Sequence, residues 1–541
     1  MSAPTTSGGT PTSAALLPTL GLFSTMMLVV GGVIGSGIFR KTGGMAAELG
    51  SPELLLLVWV LAGVITLFGA LTNAEIASLI PETGGQYVYF QRMYGPFFAF
   101  LYGWAIFAII QCGSIAAVAY LFAEYAGRLV HLPEFSAATT AWSFHLPFIG
   151  DVTPFAEIGT KGLAAALIIL LTAVNYVGVR FGGLVQNIFT VAKLAAMALL
   201  VIGAFLPSTG GSAAHFTTPS ATVHLSGLAL FAAIAAALQG AFWAYDGWNK
   251  LTYIAGEVKQ PQRNIPRALL WGMLTVTAIY VLINVAYLYV LPVDELARSK
   301  KFFVFDVAEK IFAGGGRWIA ALVMLSTFGT TNAIIMATAR VYYSMAHRNV
   351  FPRFLGQVHP RFHTPGASLV VQGVWSAALL FSGTFDTLTD TLIFVTWIFY
   401  AAGAYGVFVM RRKMPITMKS EIPMTNDERM SKSEIQQAPP SFRERIRTSV
   451  FEFRSSFGFR HSGFQSYRVP GYPIVPWVFI LFALTFLGFT VYNDFVAYRA
   501  ALTAGKPALL NSVFGVALVL VGTPIYFFYR RRNAANRSQR Q

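Results

Sequence analysis

Two short stretches in an otherwise apolar sequence hold the groups that could do chemistry: GGVIGSGIF, Gly31 to Phe39, and GAFWAYDGWN, Gly240 to Asn249. A GxxxG pair such as Gly31 and Gly35 usually serves close helix packing. Gly35, Ser36 and Gly37, however, are consecutive and point around a helix rather than along one face, which predicts an unwound segment. Unwinding frees backbone N–H and C=O groups, tolerated at membrane depth only where protein or a water-filled cavity satisfies them. The N–H groups opening the next half-helix make an anion site, reinforced by its dipole. A carboxylate is the natural guest, with the Ser36 hydroxyl as an extra donor. In the second stretch, released carbonyls would accept from an ammonium, and Trp243 offers a broad apolar surface beside them. The two breaks together describe the two ends of an α-amino acid. Without the break, Trp243, Tyr245 and Trp248 would read as ordinary membrane aromatics.

Isolated charges come next. Lys193, in VQNIFTVAKLAAMALL, sits mid-segment. A lysine there costs about 2.5–3.5 kcal/mol on insertion scales, so it is expected to face the interior and to have a role. Asp246 has two readings: its carboxylate could meet a substrate ammonium or select cationic side chains, or it could pair with Lys250 four residues on. Gln111, Ser114, Asn332 and Tyr400 are candidates for the substrate side-chain pocket, or equally for helix packing. Glu75, Glu82 and Glu257, near segment ends, read as gate or loop-locking residues. The eight histidines are scattered, no Cys/His/carboxylate group has metal-ligand spacing, and no nucleophile motif occurs. No enzyme, metal or cofactor is expected.

The elements that must position these residues follow from composition. Of 541 residues, 55% are hydrophobic and 11% charged, against about 25% charged in soluble domains. A membrane helix needs about 20 apolar residues. Twelve stretches qualify, near 17–43, 51–80, 96–130, 160–178, 184–206, 224–256, 266–292, 317–346, 367–382, 387–410, 472–495 and 507–529. The ninth is the shortest, and the third overruns its membrane portion. The net charge of +16 does not signal nucleic acid: with the N-terminus inside, most Lys and Arg fall in cytoplasmic loops and the C-terminal tail, as the positive-inside rule requires. The N-terminal stretch lacks the basic region of a cleavable signal peptide. The single cysteine, Cys112, lies in the third span, so no disulfide-linked ancillary subunit is expected; the oligomeric state is not read from the sequence.

An odd number of spans per half inverts a repeat. Interrupted segments at corresponding places in two halves are the best sequence pointer to a transporter site. The expected organisation is a cytoplasmic tail (1–16), a first repeat of five spans (17–206), an inverted repeat (224–413), a cytoplasmic insertion (414–466), two further spans (467–529) and a cytoplasmic tail (530–541). Within the insertion, Phe442, Ile446, Val450, Phe453 and Phe457 recur at helical spacing among arginines. That suits a basic amphipathic helix on an anionic leaflet, or equally a solvated charged linker.

GGVIGSGIF, AEIASLIPETGGQYVYFQRMYGP (74–96), FWAYDGWNKLTYIAGEVKQPQRNIPRA (242–268), ATARVYYSMAHRNVFPRFLGQVHP (337–360) and YRVPGYPIVP (467–476) together resemble the amino acid–polyamine–organocation superfamily. The likeness is nearest to its L-type branch and bacterial relatives and covers nearly the whole chain. It implies an all-α membrane protein of twelve helices with the LeuT-type five-plus-five inverted repeat and broken helices 1 and 6. By this resemblance Ser36 and Gly37 would hold the substrate carboxylate, with Gly35 completing the turn. Carbonyls of Val33 or Ile34, Trp243 and Asp246 would hold the ammonium, with Ala244 in the same substrate-binding stretch, and Asn332 is counted with the site. Trp243 would close over the substrate as a gate. Lys193 would stand where sodium-coupled relatives bind an ion, acting as a fixed cation in preference to a proton carrier. Asp246 departs from the many members with an uncharged residue there, and the fifty-residue insertion departs as well. The implied activity is sodium-independent exchange of neutral L-amino acids in the cell membrane. Cationic amino acid or polyamine antiport, proton-coupled symport and a non-transporting sensor are the alternatives.

Overall fold

The computed structural model describes residues 18–146, 150–299, 302–381, 385–413, 467–504 and 510–538. The amphipathic helix considered for 414–466 lies outside the described residues, as does the tail 1–16. Among the described residues, eleven helices are long and apolar enough to cross a membrane. They are Leu22–Leu49, Pro52–Leu79, Pro96–Ala126, Ile158–Val177, Gly182–Ala204, Gly227–Tyr245, Pro261–Val290, Gly315–His347, Thr391–Lys413, Ile474–Thr503 and Asn511–Ala534. Gly366–Leu379 stands where the ninth span was expected, with 14 residues, or about 21 Å at the α-helical rise. The third span ends at Ala126, short of its expected limit. Two paired three-residue strands, Phe144–Leu146 and Gly150–Val152, are the only ones among the described residues.

Local sequence explains the element ends. At ELGSPE, Gly50 ends the first span in the left-handed conformation (φ 60°), where glycine is unstrained. Ser51 then caps the second, accepting from the Leu54 N–H at 3.1 Å, and Pro52 fills the first helical position, which needs no donor. Helix-period apolar faces then set the packing. The second span packs extensively on the seventh, the third on the eighth, and the second half of the first on the sixth.

Ion pairs clamp the two ends of the bundle. At one end the Arg340 guanidinium grips Glu257 through two bonds of 2.7 and 3.2 Å, with both side chains at most 1% exposed. The Glu257 carbonyl accepts from the Thr19 and Leu20 N–H groups at 3.0 Å, tying the start of the first span to the end of the sixth. Nearby, Arg411 holds Glu75 at 2.7 and 2.8 Å, and Glu75 also accepts from the Val469 N–H at 2.7 Å. Glu82 pairs with Arg92 and Arg348. The three glutamates singled out in the sequence thus join different segments at this end. At the other end Arg40 meets Glu124 at 3.0 Å. Removing one partner of a fully buried pair leaves an uncompensated charge, at a cost of about 3–5 kcal/mol. Glu257→Ala is therefore expected to lower the melting temperature of the purified protein sharply, and Lys310→Ala, whose pair with Glu295 is about 40% exposed, to leave it nearly unchanged.

Candidate functional site

The first span stops after Val33 and resumes at Gly37, with residues 34–36 outside helix. Ile34 turns extended (φ −70°, ψ 94°), which aims neighbouring carbonyls at the fifth and eighth spans. Lys193 donates to the carbonyls of Gly31 at 2.9 Å and Ile34 at 2.6 Å. It also lies 3.3 Å from the Ser326 carbonyl and the Thr330 hydroxyl. The Thr330 hydroxyl sits 2.8 Å from the Ile34 carbonyl. The Ser326 hydroxyl reaches the Ile34 and Gly35 carbonyls at 3.2 and 3.3 Å. Lys193, fully buried, thus ties the first span to the eighth.

The N–H side of the break differs. Ser36 sits at the N-cap of Gly37–Leu49 without capping it. No acceptor among the described residues takes the N–H groups of Gly35, Ser36 or Gly37. The Ser36 hydroxyl instead accepts from the Trp243 indole N–H at 3.0 Å, joining the two breaks.

The sixth span ends at Tyr245. Asp246 is extended, Gly247 adopts φ 113°, and one short helical turn, Lys250–Tyr253, follows. The second half is thus much shorter than the sequence suggested. Gly247 must be glycine twice over: its φ disfavours a side chain, and an added Cβ would lie 2.7 Å from the Gly32 carbonyl. Across the same seam a Cβ at Gly37 would come 2.4 Å from the Ala244 Cα. The Tyr280 hydroxyl lies 3.1 Å from the Val33 carbonyl and 2.8 Å from that of Ala244. The glycines therefore both break the helix and let the two breaks touch.

Between the breaks is a small cavity lined by Ser36, Trp243, Asp246, Lys250, Ser114 and Thr330 together with Val33 and the glycines of the first break. The Asp246 carboxylate is engaged on both oxygens, by Lys250 at 3.2 Å and by the Tyr400 hydroxyl at 2.7 Å.

Of the sequence candidates, Val33, Gly35, Ser36, Gly37, Trp243 and Asp246 border this cavity, and Ala244 backs it through its backbone contact with Gly37. Ile34 does not: its carbonyl is turned to Lys193, Ser326 and Thr330. Asn332 is a correction. Its amide faces the fourth and fifth spans, bonded to Asn175 at 2.8 Å and to Gln186 and the Gly182 carbonyl at 3.2 Å. Its place in the helix register turns it away from the Ser326–Thr330 face, which STFGTT marked as unusually polar for a membrane span. The sequence reading missed Ser326, Thr330 and Tyr280. It also missed the π-helical turn Ile106–Ile110, a bulge type often found at functional sites, whose Ile110 carbonyl receives the Ser114 hydroxyl at 2.6 Å.

A bundle of membrane-length helices around a cavity between two broken ones fits a multi-pass membrane transport protein. The chain belongs to the amino acid permease family, whose model matches residues 20–519. It is 32% identical over 402 residues to the b(0,+)-type amino acid transporter 1 of Homo sapiens, covering 74% of this chain and 77% of the relative. It is 32% identical over 397 residues to the serine/threonine exchanger SteT of Bacillus subtilis (strain 168), covering 73% and 83%. It is 33% identical over 402 residues to the large neutral amino acids transporter small subunit 2 of Homo sapiens, covering 74% and 71%.

The seam between the breaks makes a local prediction. Gly37→Ala must push the Ala244 backbone away, an overpacking that costs about 1–3 kcal/mol. Gly44 lies on the same half-helix, and a Cβ added there would meet nothing within 4 Å. Thermal melting should show Gly37→Ala destabilised and Gly44→Ala unchanged or slightly stabilised.

Proposed function

We propose that the protein exchanges neutral L-amino acids across the cell membrane by alternating access, independently of sodium. The observation that carries this reading is the pairing of open N–H groups at Gly35–Gly37 with a cavity whose two charges, Asp246 and Lys250, cancel. In this role Gly35, Ser36 and Gly37 receive the substrate carboxylate. The carbonyls of the second break, from Trp243 to Asp246, and of Val33 receive the ammonium, and Trp243 is the gate that swings from Ser36 as substrate enters. The printed names of the relatives, a serine/threonine exchanger and a transporter of large neutral amino acids among them, support the substrate class.

Sodium independence is supported by Lys193. Carbonyl and hydroxyl oxygens at 2.6–3.3 Å from its ammonium form a set of hard oxygen ligands that suits a cation, and a tethered positive charge already occupies it. We assign it the role of a fixed cation. The five-plus-five inverted repeat is supported by the mutual packing of the first with the sixth span, the second with the seventh and the third with the eighth, as a pseudo-two-fold axis through the site would give. Cytoplasmic termini follow from the distribution of Lys and Arg. A disulfide tether to another chain is disfavoured because Cys112 is fully buried, 3.6 Å from the Tyr342 hydroxyl.

The test is trans-stimulated uptake in proteoliposomes of the full chain. Uptake of labelled L-serine or L-leucine should require internal neutral amino acid and be indifferent to sodium and to a pH gradient. Uptake into empty vesicles driven by sodium or an inward proton gradient would overturn the reading.

A further inference from the structure

Two lysines are buried near the centre of the protein, and their surroundings differ. Lys193 faces four oxygens. Lys250 has, among the described residues, one acceptor: the Asp246 carboxylate oxygen at 3.2 Å. An ammonium carries three donors, so most of the donor capacity of Lys250 is unspent, and its side chain, 5% exposed, lines the cavity. The break makes room for it. A Cβ on Gly247 would approach the Lys250 ammonium to 2.9 Å, so glycine there leaves the space that the lysine head uses.

Stability alone is a weak reason for such a pair. Two desolvated charges often do no better than apolar residues of similar volume. Position gives a stronger one. Asp246 stands at the start of the second break and Lys250 at its end, both line the cavity, and Tyr400 fixes the other Asp246 oxygen. Without Lys250 the cavity would hold an uncompensated carboxylate, which attracts a cation.

We propose that Lys250 is a built-in counter-ion that sets charge selectivity: its ammonium takes, against Asp246, the place that a cationic substrate side chain would take. This rests on the exchange of amino acids proposed above and adds to it the residue that turns lysine- and arginine-like substrates away. An added cation in the cavity would face Lys250 directly, while a neutral side chain leaves the pair intact. The reciprocal also follows. With Asp246 neutralised, the free ammonium would draw an acidic side chain.

The experiment measures ligand-induced thermal shifts of the purified full-length chain with L-serine, L-leucine, L-arginine and L-glutamate, with neutral binding as each variant's reference. In the wild type, neutral amino acids should stabilise and L-arginine should not. Lys250→Met should bind L-arginine at least tenfold more tightly relative to its neutral reference, and Lys250→Met combined with Asp246→Asn should lose that gain. Asp246→Asn alone should gain at least tenfold for L-glutamate, which keeps the proposal testable where Lys250→Met fails to fold. Wild-type binding of L-arginine as tight as that of neutral ligands would overturn the proposal. So would a folded Lys250→Met with no gain for L-arginine, a double variant that keeps the gain, or Asp246→Asn with no gain for L-glutamate. If no amino acid of any charge shifts the wild type, the exchange reading falls as well; neutral binding with unchanged charge preference overturns the counter-ion alone.

Discussion

The ammonium of Lys193 against the carbonyls of Gly31 and Ile34 is the contact on which the centre of this protein depends. A helix that stops inside a membrane strands main-chain groups, each costing several kcal/mol if unsatisfied. A lysine at the same depth costs about 2.5–3.5 kcal/mol on insertion scales. Either alone is unfavourable, and together each removes the other's penalty. Ser326 and Thr330 extend the arrangement by covering the Ile34 and Gly35 carbonyls. The first span can therefore be broken and still be held rigidly between the fifth and eighth.

The Gly31, Ile34 and Gly35 carbonyls are satisfied by Lys193, Ser326 and Thr330, whereas the Gly35–Gly37 N–H groups have no acceptor among the described residues. Gly35, Ser36 and Gly37 line a cavity that the second break also lines, and the Trp243 indole bridges the gap to Ser36. Close approach of the two breaks is possible only because Gly37 and Gly247 lack side chains. Ion pairs clamp both ends of the bundle, through Glu257, Glu75 and Glu82 at one and Arg40–Glu124 at the other. In the exchange proposed above, alternating access would release one set while the Lys193 contact keeps the centre intact.

The membrane class and the places of the spans were legible because long apolar runs are unambiguous. The breaks were legible because glycine and serine in such runs have no packing reason to be consecutive. What hid was set by three-dimensional register. Asn332 and Thr330 are two residues apart, yet they face opposite sides of the eighth span, toward Asn175 and toward Ile34. Both look like polar residues of one segment in sequence. Tyr280 is one of several hydroxyl-bearing residues in its helix, with Thr275, Thr277, Tyr287 and Tyr289, and only the fold brings it beside two carbonyls from distant breaks. The π turn before Gln111 leaves no compositional trace. Asp246 and Lys250 showed the right spacing to pair, but that both line the cavity depends on the shortness of the second half-helix.

The most direct test of the central claim, that backbone groups freed by the two breaks grip an amino acid, is a structure of the full chain determined with a neutral amino acid bound. The account predicts the substrate carboxylate within hydrogen-bonding distance of the Gly35–Gly37 N–H groups, the Ser36–Trp243 bond opened, and the Lys193 contacts unchanged. A substrate bound elsewhere, with Ser36 still bonded to Trp243, would contradict it.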